Sequence, residues 1–300
     1  EPVENQVVCN GDNTTEVVFE TTNEDGTMTY RWTNDNTAIG LAVSGEGNIA
    51  AFTATNTTNA PIVANIEVTP YFKNDGVTCS GESMTFTITV NPTANVKPVS
   101  DQVLCHSEST ADVVFETTNV DGTMTYHWTN DNTAIGLEDT EGEGIVPAFT
   151  TINQGIEPQT ANFIVTPTFT YEGVSCTGNP DTFQIVVNPE VVMDQPNDTT
   201  LCRATMSKVI SFHSQLDPKV TYNWHHSNTA IGVTVADGTG DIMPFLADNS
   251  GTTPLVDTVT VTPTYTDNGI QCVGEPKIFV ITVNPEVVMN KPANQTIGHD

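Results

Sequence analysis

Basic residues are nearly missing from this sequence. Its 300 residues include only 8 Lys and Arg against 37 Asp and Glu, which gives a formal net charge of -29. A chain this acidic repels phosphate backbones and anionic lipid headgroups. The sequence therefore argues against a nucleic-acid partner, whereas the same charge would keep an extended surface protein soluble.

Long apolar stretches and helical periodicity are missing too. No run of about 18 apolar residues occurs, so no segment is predicted to insert into a membrane, and no signal peptide is visible at the first residues. Thr, Val, Asn and Gly dominate the composition. Thr and Val favour strands, and Asn and Gly favour turns, so the composition predicts an all-β protein.

What the sequence does contain is an internal period of about 96 residues. Trp32, Trp128 and Trp224 are spaced 96 and 96 apart, and the string TAIG follows each tryptophan. Because the last copy of the pattern breaks off early, we expect the chain to be a segment of a longer array. The predicted domains are residues 1–92 (repeat 1), 93–189 (repeat 2) and 190–285 (repeat 3), with the start of a fourth repeat at 286–300.

Each repeat has the length and turn spacing of an immunoglobulin-like β-sandwich. About seven short strands are predicted per repeat, with an early one at Val17–Glu20. In the next strand large residues alternate with polar ones, which places the large residues on one inward face. Pro70 interrupts a later strand and recurs in the other repeats, which predicts an edge strand or a bulge. The predicted core aromatic residues are Tyr30, Trp32, Tyr126, Trp128, Tyr222 and Trp224.

Two cysteines recur at matching positions in every repeat. An even number with strict periodicity predicts one disulfide inside each repeat, and hence an oxidising compartment. Free thiols and a metal site are the alternatives, although two cysteines without partnered histidines do not supply the four ligands of a zinc site. The predicted pairs are Cys9–Cys79, Cys105–Cys176 and Cys202–Cys272.

Several strings together resemble a known repeat. YRWTNDNTAIGL, IEVTPYF and TFTITVNP, with their copies further along, are similar to the PKD-like repeat of very large gliding-motility adhesins of gliding bacteria. The resemblance covers all three repeats. It implies type IX secretion, a place on the outer bacterial surface, and a role in adhesion or gliding. Repeat 3 departs from the pattern with HHSNTAIG, so a function of Asp35 or Asp131 does not extend to Ser227.

The sequence contains no recognisable catalytic motif. No metalloprotease, hydrolase or phosphate-binding string occurs, so a non-enzymatic protein is predicted. His225 and His226 do not recur in the other repeats, and we assign them to a surface or loop. Acidic residues offer oxygen ligands for structural calcium, but no loop follows a known calcium spacing and Asp is equally expected in turns. The candidate calcium ligands are Asp25, Asp121, Glu46, Glu141, Glu143, Asp237 and Asp241.

The patterns predict tandem sandwich domains, and the resemblance implies that they form an extracellular adhesin stalk associated with the outer membrane. The linkers are short and contain proline, so we expect end-to-end domains with limited bending. Expected partners are neighbouring repeats and the surface motility or secretion machinery, with surface polysaccharide as a further candidate. One alternative is a set of carbohydrate-binding modules, which would require exposed aromatic residues. Another is a set of accessory domains of a secreted hydrolase, which would require a catalytic domain beyond the ends of this sequence.

Overall fold

The computed structural model of the chain describes residues 3–267, 269–295 and 297. It consists of three β-sheets in tandem, one within each repeat. Part of the predicted fourth repeat, at 296 and 298–300, lies outside the described residues, and the described part of it, 286–295 and 297, contains no strand. None of the described helical segments is long and apolar enough to cross a lipid bilayer.

The three repeats contain the same elements in the same order. Repeat 1 contains β1 Gln6–Cys9, β2 Thr27–Asn34, a 3₁₀ turn Thr37–Ile39, β3 Ser44–Glu46, β4 Ile62–Asn74, β5 Val77–Ser80 and β6 Met84–Asn91. Repeat 2 contains β7 Gln102–Cys105, β8 Thr123–Asn130, a 3₁₀ turn Thr133–Ile135, β9 Glu141–Glu143, β10 Gln159–Tyr171, β11 Val174–Thr177 and β12 Asp181–Asn188. Repeat 3 contains β13 Thr199–Cys202, β14 Val220–His226, a 3₁₀ turn Thr229–Ile231, β15 Asp237–Thr239, β16 Leu255–Asp267, β17 Ile270–Val273 and β18 Lys277–Asn284.

Each sheet has the order β1-β6-β4-β2-β3 of repeat 1, with β5 beside the far end of β4. All neighbours are antiparallel except β1, which runs parallel to β6 with Cys9 opposite Asn91. Since β6 is the last strand of its repeat, the parallel pairing places Cys9 at the pole where the chain leaves for the next repeat.

The second layer of each sandwich is irregular. In repeat 1 two extended segments face the sheet, and their β pairing is limited to the isolated bridges Asn13↔Thr53 and Val17↔Ile49. The predicted strand at Val17–Glu20 is therefore wrong, since beyond that bridge Phe19 donates its backbone N–H to the side chain of Asn48. Six strands, and not seven, form each sheet. Val17 and Ile49 are still buried, so this layer closes the core by its apolar side chains.

The alternating strand places its aromatic residues as expected in two of the repeats. Trp32 and Trp128 are buried, at 7% and 2% exposure, and Tyr30 and Tyr126 pack at the edge of the same clusters. In repeat 3 Tyr222 is buried whereas Trp224 is partly exposed. Gly45 lies across from Trp32, and a Cβ there would come within 2.2 Å of the indole ring. A glycine at this position therefore leaves room for the tryptophan.

The recurrent NTAIG string forms the 3₁₀ turn. The side chain of Asn36 accepts a hydrogen bond from the backbone N–H of Ala38, Ile39 is fully buried, and Gly40 adopts φ 93°. Only glycine tolerates this left-handed conformation without strain. The string is therefore explained by capping, burial and backbone geometry.

The proline strand is central, which contradicts the predicted edge position. β4 pairs with β2 on one side and with both β6 and β5 on the other. On that second side β6 pairs with β4 residues up to Val68, and β5 pairs with β4 residues from Tyr71 onward, so Pro70 falls in the gap between the two partners. There its missing N–H leaves no ladder hydrogen bond unmade, and its carbonyl still accepts from Gly81 N–H.

Repeat 3 contains a buried, hydrogen-bonded His–Asp pair where repeats 1 and 2 have Asn and Ala. His226 replaces Asn34, and Asp257 replaces Ala64. The assignment of both histidines to a surface was wrong for His226, because its side chain and that of Asp257 are fully buried and hydrogen-bonded. Asp257 also accepts the backbone N–H of Asn228, the bond that Asn34 accepts from Asn36 in repeat 1. His225 is exposed beside Asp237.

The pKa of Asp257 reflects this setting. Burial alone raises the pKa, but the hydrogen bonds from His226 and from the Asn228 backbone outweigh it, so the pKa lies below its ordinary value. A carboxylate with a lowered pKa stabilises the fold above its unfolded pKa, and this stabilisation is lost as the pH falls through the folded pKa.

We expect Asp257→Ala to lower the stability of repeat 3 by about 1–3 kcal/mol, because buried donors lose their acceptor. The double variant with His226→Asn installs the pair of repeats 1 and 2 and should recover most of that loss. Amide hydrogen exchange in β14 and β16 measures the effect, with β2 and β4 as the internal control. A double variant no more stable than Asp257→Ala would contradict the idea that Asn and Ala can replace the His226–Asp257 pair.

Candidate functional site: the repeat junctions

Two inter-repeat disulfides are the most conspicuous chemical feature of the structure. Cys9 of repeat 1 is bonded to Cys176 of repeat 2, and Cys105 of repeat 2 to Cys272 of repeat 3. The Cα atoms are 5.5 Å apart in both pairs. We call the contacts around the first disulfide junction 1 and those around the second junction 2.

The predicted pairing within each repeat is therefore wrong, and the sheet explains why. Cys9 lies beside Asn91 at the exit pole, where β4 begins at Ile62. Cys79 lies opposite Phe72, near the other end of β4. The ten residue steps from Ile62 to Phe72 cover roughly 33 Å of extended strand, whereas a disulfide joins Cα atoms less than about 7 Å apart.

Because each bond links the first cysteine of one repeat to the second cysteine of the next, two cysteines are left over. Cys79 and Cys202 are free and exposed. We call the end of a repeat from which the chain leaves the exit pole, and the opposite end, with the hairpin after the long strand, the entry pole. Cys79 lies at the entry pole of repeat 1, and Cys202 lies at the exit pole of repeat 3.

Hydrogen bonds around junction 1 join the two repeats directly. Asn91, fully buried at the end of β6, donates from its side-chain amide to the carbonyls of Tyr171 and Val174, at 3.2 and 3.3 Å. These carbonyls belong to the β10–β11 hairpin, which also contributes Cys176. A backbone bond of 2.9 Å from Val120 N–H to the Asn59 carbonyl links the repeats at a second point.

The linkers belong to the core of the repeat that follows. Ala94 is buried, and Val96 packs against the core of repeat 2. At the same two positions of the next linker, Val191 and Met193 are buried in the core of repeat 3, at 7% and 3% exposure. Neither linker is a free tether. Burial of its apolar side chains in the following repeat holds that repeat against the one before it.

Polar contacts fix the first linker as well. The Asn95 backbone N–H donates to the side-chain oxygen of Asn119, and the Asn119 amide donates to the carbonyl of Thr93, at 2.8 and 3.1 Å. Lys97 donates its backbone N–H to the Glu116 carbonyl and pairs with its carboxylate at 2.9 Å. Since the Glu116 carboxylate is exposed, the backbone bond is the stronger of these two contacts.

A glycine two residues after the second cysteine leaves room for the linker backbone to pack against the β5-type hairpin strand. A Cβ on Gly178 would lie 1.9 Å from the carbonyl oxygen of Ala94, and one on Gly274 would lie 2.2 Å from that of Val191. Gly81 holds the same position in repeat 1, but a Cβ there would meet only Pro70 closely. The requirement for glycine is therefore strongest where a linker crosses it.

The candidate calcium ligands do not gather. Glu46, Glu141 and Asp237 pair with Arg31, His127 and His225, and Asp241 accepts from Ser211. Asp25 and Asp121 adopt left-handed turn conformations with φ near 60°. In the described part of the chain, no three His, Cys, Asp or Glu side chains lie close enough together to hold a metal ion.

Asp35 and Asp131 have a structural task. The Asn65 side-chain amide and then its backbone N–H, both at 2.7 Å, hold the pKa of Asp35 below its ordinary value. Asp131 binds Asn162 in the same way. Ser227 of repeat 3 replaces this carboxylate with a hydroxyl that accepts from Thr258 N–H.

We expect Gly178→Ala to loosen junction 1 and to lower its stability by about 1–3 kcal/mol, since a methyl group would collide with the linker backbone. The measurement is hydrogen exchange at the amides of Asn95 and Lys97, which should become faster. Gly81→Ala is the matched control, because it introduces only the shared proline contact. Equal effects of the two substitutions would rule out close linker approach as the reason for the glycine.

A peptide map without reductant tests the disulfide pattern itself. Cleavage at acidic residues separates Cys79 from Cys105, Cys176 and Cys202, so each pairing gives distinct linked peptides. We expect Cys9–Cys176 and Cys105–Cys272 peptides, with Cys79 and Cys202 reactive toward an alkylating reagent in the native protein. Recovery of Cys9–Cys79 would contradict the structure.

Solved structures and one family model show limited similarity to the chain. Solved structures that resemble the chain include mouse cadherin-23 EC22-24 (13% identity, 94% of this chain and 96% of that one, TM-score 0.36), mouse protocadherin-24 EC1-3 (14%, 95% and 98%, 0.35) and the titin I9-I11 tandem (9%, 94% and 97%, 0.27). A comparison with curated proteins finds no match. Residues 200–287, within and just beyond repeat 3, match the family model of the PKD-like domain.

Proposed function

We propose that the chain is a spacer segment of an extracellular adhesive protein, which holds other parts of its molecule away from a surface. The observation that carries this proposal is the repetition of one covalently closed junction. Both junctions use the same cysteine pairing, a buried linker and a close-approach glycine. A structure built by repeating one connection provides length and a defined orientation.

The disulfides support an extracellular location. Structural disulfides form and persist in oxidising environments and are rare in the cytosol. The net charge of -29 supports it further, since such a charge keeps extended chains apart in solution. The PKD-like and immunoglobulin-like fold is suited to a structural or adhesive role. We propose no catalytic activity.

We further propose, more specifically, that the spacer is part of a bacterial adhesin stalk that is involved in gliding and exported by the type IX route. Its support is the similarity of the repeated strings, from YRWTNDNTAIGL to TFTITVNP, to the repeats of gliding-motility adhesins. The proposed partners are further repeats and the motility or secretion machinery of the cell surface. Sugar binding is less well supported, because the indoles of Trp32 and Trp128 are buried and present no exposed face to a sugar ring.

Small-angle X-ray scattering tests the spacer role. For the oxidised chain we expect a radius of gyration well above the ~19 Å of a compact domain of 300 residues. The double variant Cys9→Ser, Cys105→Ser keeps each repeat but removes both disulfides, so its distribution of interparticle distances should broaden. The single variant Cys79→Ser, which removes a free thiol, is the control and should scatter like the parent chain. A compact oxidised chain would contradict the spacer role.

A further inference from the structure

The two junction disulfides lie in different electrostatic surroundings. At junction 2, Cys105 and Cys272 line a pocket of about 170 Å³ together with His106, Glu190 and Glu275. Junction 1 has uncharged residues at the three matching positions, which are Asn10, Thr93 and Asn179. The second disulfide is therefore flanked by two carboxylates that the first disulfide lacks.

A third carboxylate and a neutral histidine complete the surroundings of the second disulfide. Glu108 accepts the backbone N–H of Cys105 at 2.8 Å, and Asp12 holds the same position in repeat 1. His106 accepts the backbone N–H of Asn153 at its Nδ1 atom, 2.9 Å away. An imidazole that accepts at Nδ1 carries its proton at Nε2 and is uncharged. His106 therefore does not offset the carboxylates.

Two lysines of repeat 3 leave this negative charge in place. Lys219 pairs with Asp267 of the β16–β17 hairpin at 3.0 Å, and Glu172 is the acidic residue of the matching hairpin at junction 1. On β16 the partner of Lys277 is four residues from the partner of Cys272. Four residues cover roughly 13 Å of extended strand, which exceeds the Debye length of about 8 Å at physiological salt.

Both disulfides expose the same sulfur atom to solvent. Cys9 and Cys105 are partly exposed, whereas Cys176 and Cys272 are 3% and 2% exposed. A small thiolate therefore attacks the first cysteine of each pair, and the second cysteine is the leaving group. Since exchange rates depend on access and on the thiolates involved, and access is alike at the two junctions, charge distinguishes them.

We propose that the two junctions form a graded redox switch, in which a small anionic thiol opens junction 1 while junction 2 stays closed. The attacking thiolate and the departing thiolate are both negative, so the carboxylates of Glu190 and Glu275 repel both. Opening of junction 1 frees repeat 1 from its covalent tie and leaves repeats 2 and 3 joined. The switch operates whatever the chain adheres to.

The junction with the more protected disulfide also has fewer polar contacts. At junction 1 the side chain of Asn91 donates to two carbonyls of the facing hairpin. Its counterpart Asn188 is fully buried, and neither polar atom of its side chain has a hydrogen-bond partner among the described residues. Junction 1 therefore keeps hydrogen bonds after reduction, whereas junction 2 depends more strongly on its disulfide.

The opening step is a thiol–disulfide exchange with two molecules of the small thiol. The first thiolate attacks the sulfur of Cys9, forms a mixed disulfide and releases the thiolate of Cys176, which takes up a proton. A second thiolate attacks the small-molecule sulfur of the mixed disulfide and releases the thiolate of Cys9. Two small thiols are oxidised to one disulfide, and the protein disulfide gains two electrons and two protons.

The test measures the opening rate of each junction in the whole chain. The free thiols of Cys79 and Cys202 are first blocked with iodoacetamide. The chain is then exposed at mildly alkaline pH to cysteamine, mercaptoethanol or glutathione, whose thiolates have net charges of about 0, −1 and −2. Newly released thiols are trapped with isotopically heavy iodoacetamide, and mass spectrometry of the Cys176 and Cys272 peptides gives the two rates.

The ratio of the two rates in one sample is independent of the intrinsic reactivity of the thiol. We expect junction 1 to open at the same rate as junction 2 with cysteamine, about threefold faster with mercaptoethanol and about tenfold faster with glutathione. In about 1 M salt, where the Debye length falls to about 3 Å, the ratios should approach one.

Charge-neutral variants identify the groups responsible. Glu190→Gln with Glu275→Gln should bring the ratio with glutathione close to one, because junction 2 then opens as fast as junction 1. The matched control is Glu141→Gln with Glu143→Gln, which removes two charges from the exposed edge strand β9. This control should leave the ratio unchanged.

The reverse exchange provides a second test. Thr93→Glu with Asn179→Glu gives junction 1 the two carboxylates of junction 2 and should slow its opening by glutathione about tenfold. Glutamate at position 93 still offers an acceptor to the side-chain amide of Asn10, which donates to Thr93 at 2.8 Å.

Several outcomes would contradict the switch. Equal rates with glutathione, or faster opening of junction 2, would show that the carboxylates give no protection. A ratio that is the same for all three thiols would assign the difference to steric access. A ratio that persists in the Glu190→Gln, Glu275→Gln variant would exclude these two residues as its cause.

Discussion

The parallel pairing of the first strand with the last strand of each repeat is the constraint on which the junctions depend. It brings the first cysteine to the pole where the chain departs, next to the terminal asparagine of β6. An antiparallel pairing would leave the same cysteine at the opposite pole, near the β4–β5 hairpin. In the observed parallel arrangement the second cysteine, which lies on that hairpin, is at the opposite pole from the first. It can therefore meet only a cysteine from the repeat before it. Covalent connection between domains thus follows from strand direction.

The junctions also show that the repeats are not independent in their packing. Val191 and Met193 are encoded after the last strand of repeat 2 but are buried in the core of repeat 3. Repeats 2 and 3 therefore complete their cores with residues of the preceding linker, and bending at a junction would withdraw apolar side chains from the core. At junction 1 the disulfide, the hydrogen bonds from Asn91 to the β10–β11 hairpin and the buried linker residue Ala94 all resist the same bending.

The periodicity of the sequence was enough to predict the tandem all-β fold, because a repeated pattern of alternating residues determines which face of a strand is buried. It was not enough to predict the cysteine pairs. Strict periodicity is equally satisfied by bonding within a repeat and by bonding between repeats, and only the position of each cysteine along its sheet distinguishes the two. The unusual gap of 23 residues between Cys9 and Trp32 was a signal that the bond does not cross the centre of the sandwich. The burial of His226 was also missed, because the sequence alone does not show that its side chain meets that of Asp257.

The spacing of the disulfides along the chain has a mechanical consequence. A pull that enters at Cys9 crosses to Cys176 and continues to Cys202, so it passes along only the 26 residues between the latter two. Residues 10–175 lie on a side loop that carries little of the tension. Even with every sheet unravelled, the span from Cys9 to Cys202 is capped at roughly 90 Å, against roughly 680 Å for the same stretch without the bond. Between Cys9 and Cys202 the oxidised chain is thus nearly inextensible, and unfolding of a repeat adds almost no length to that span.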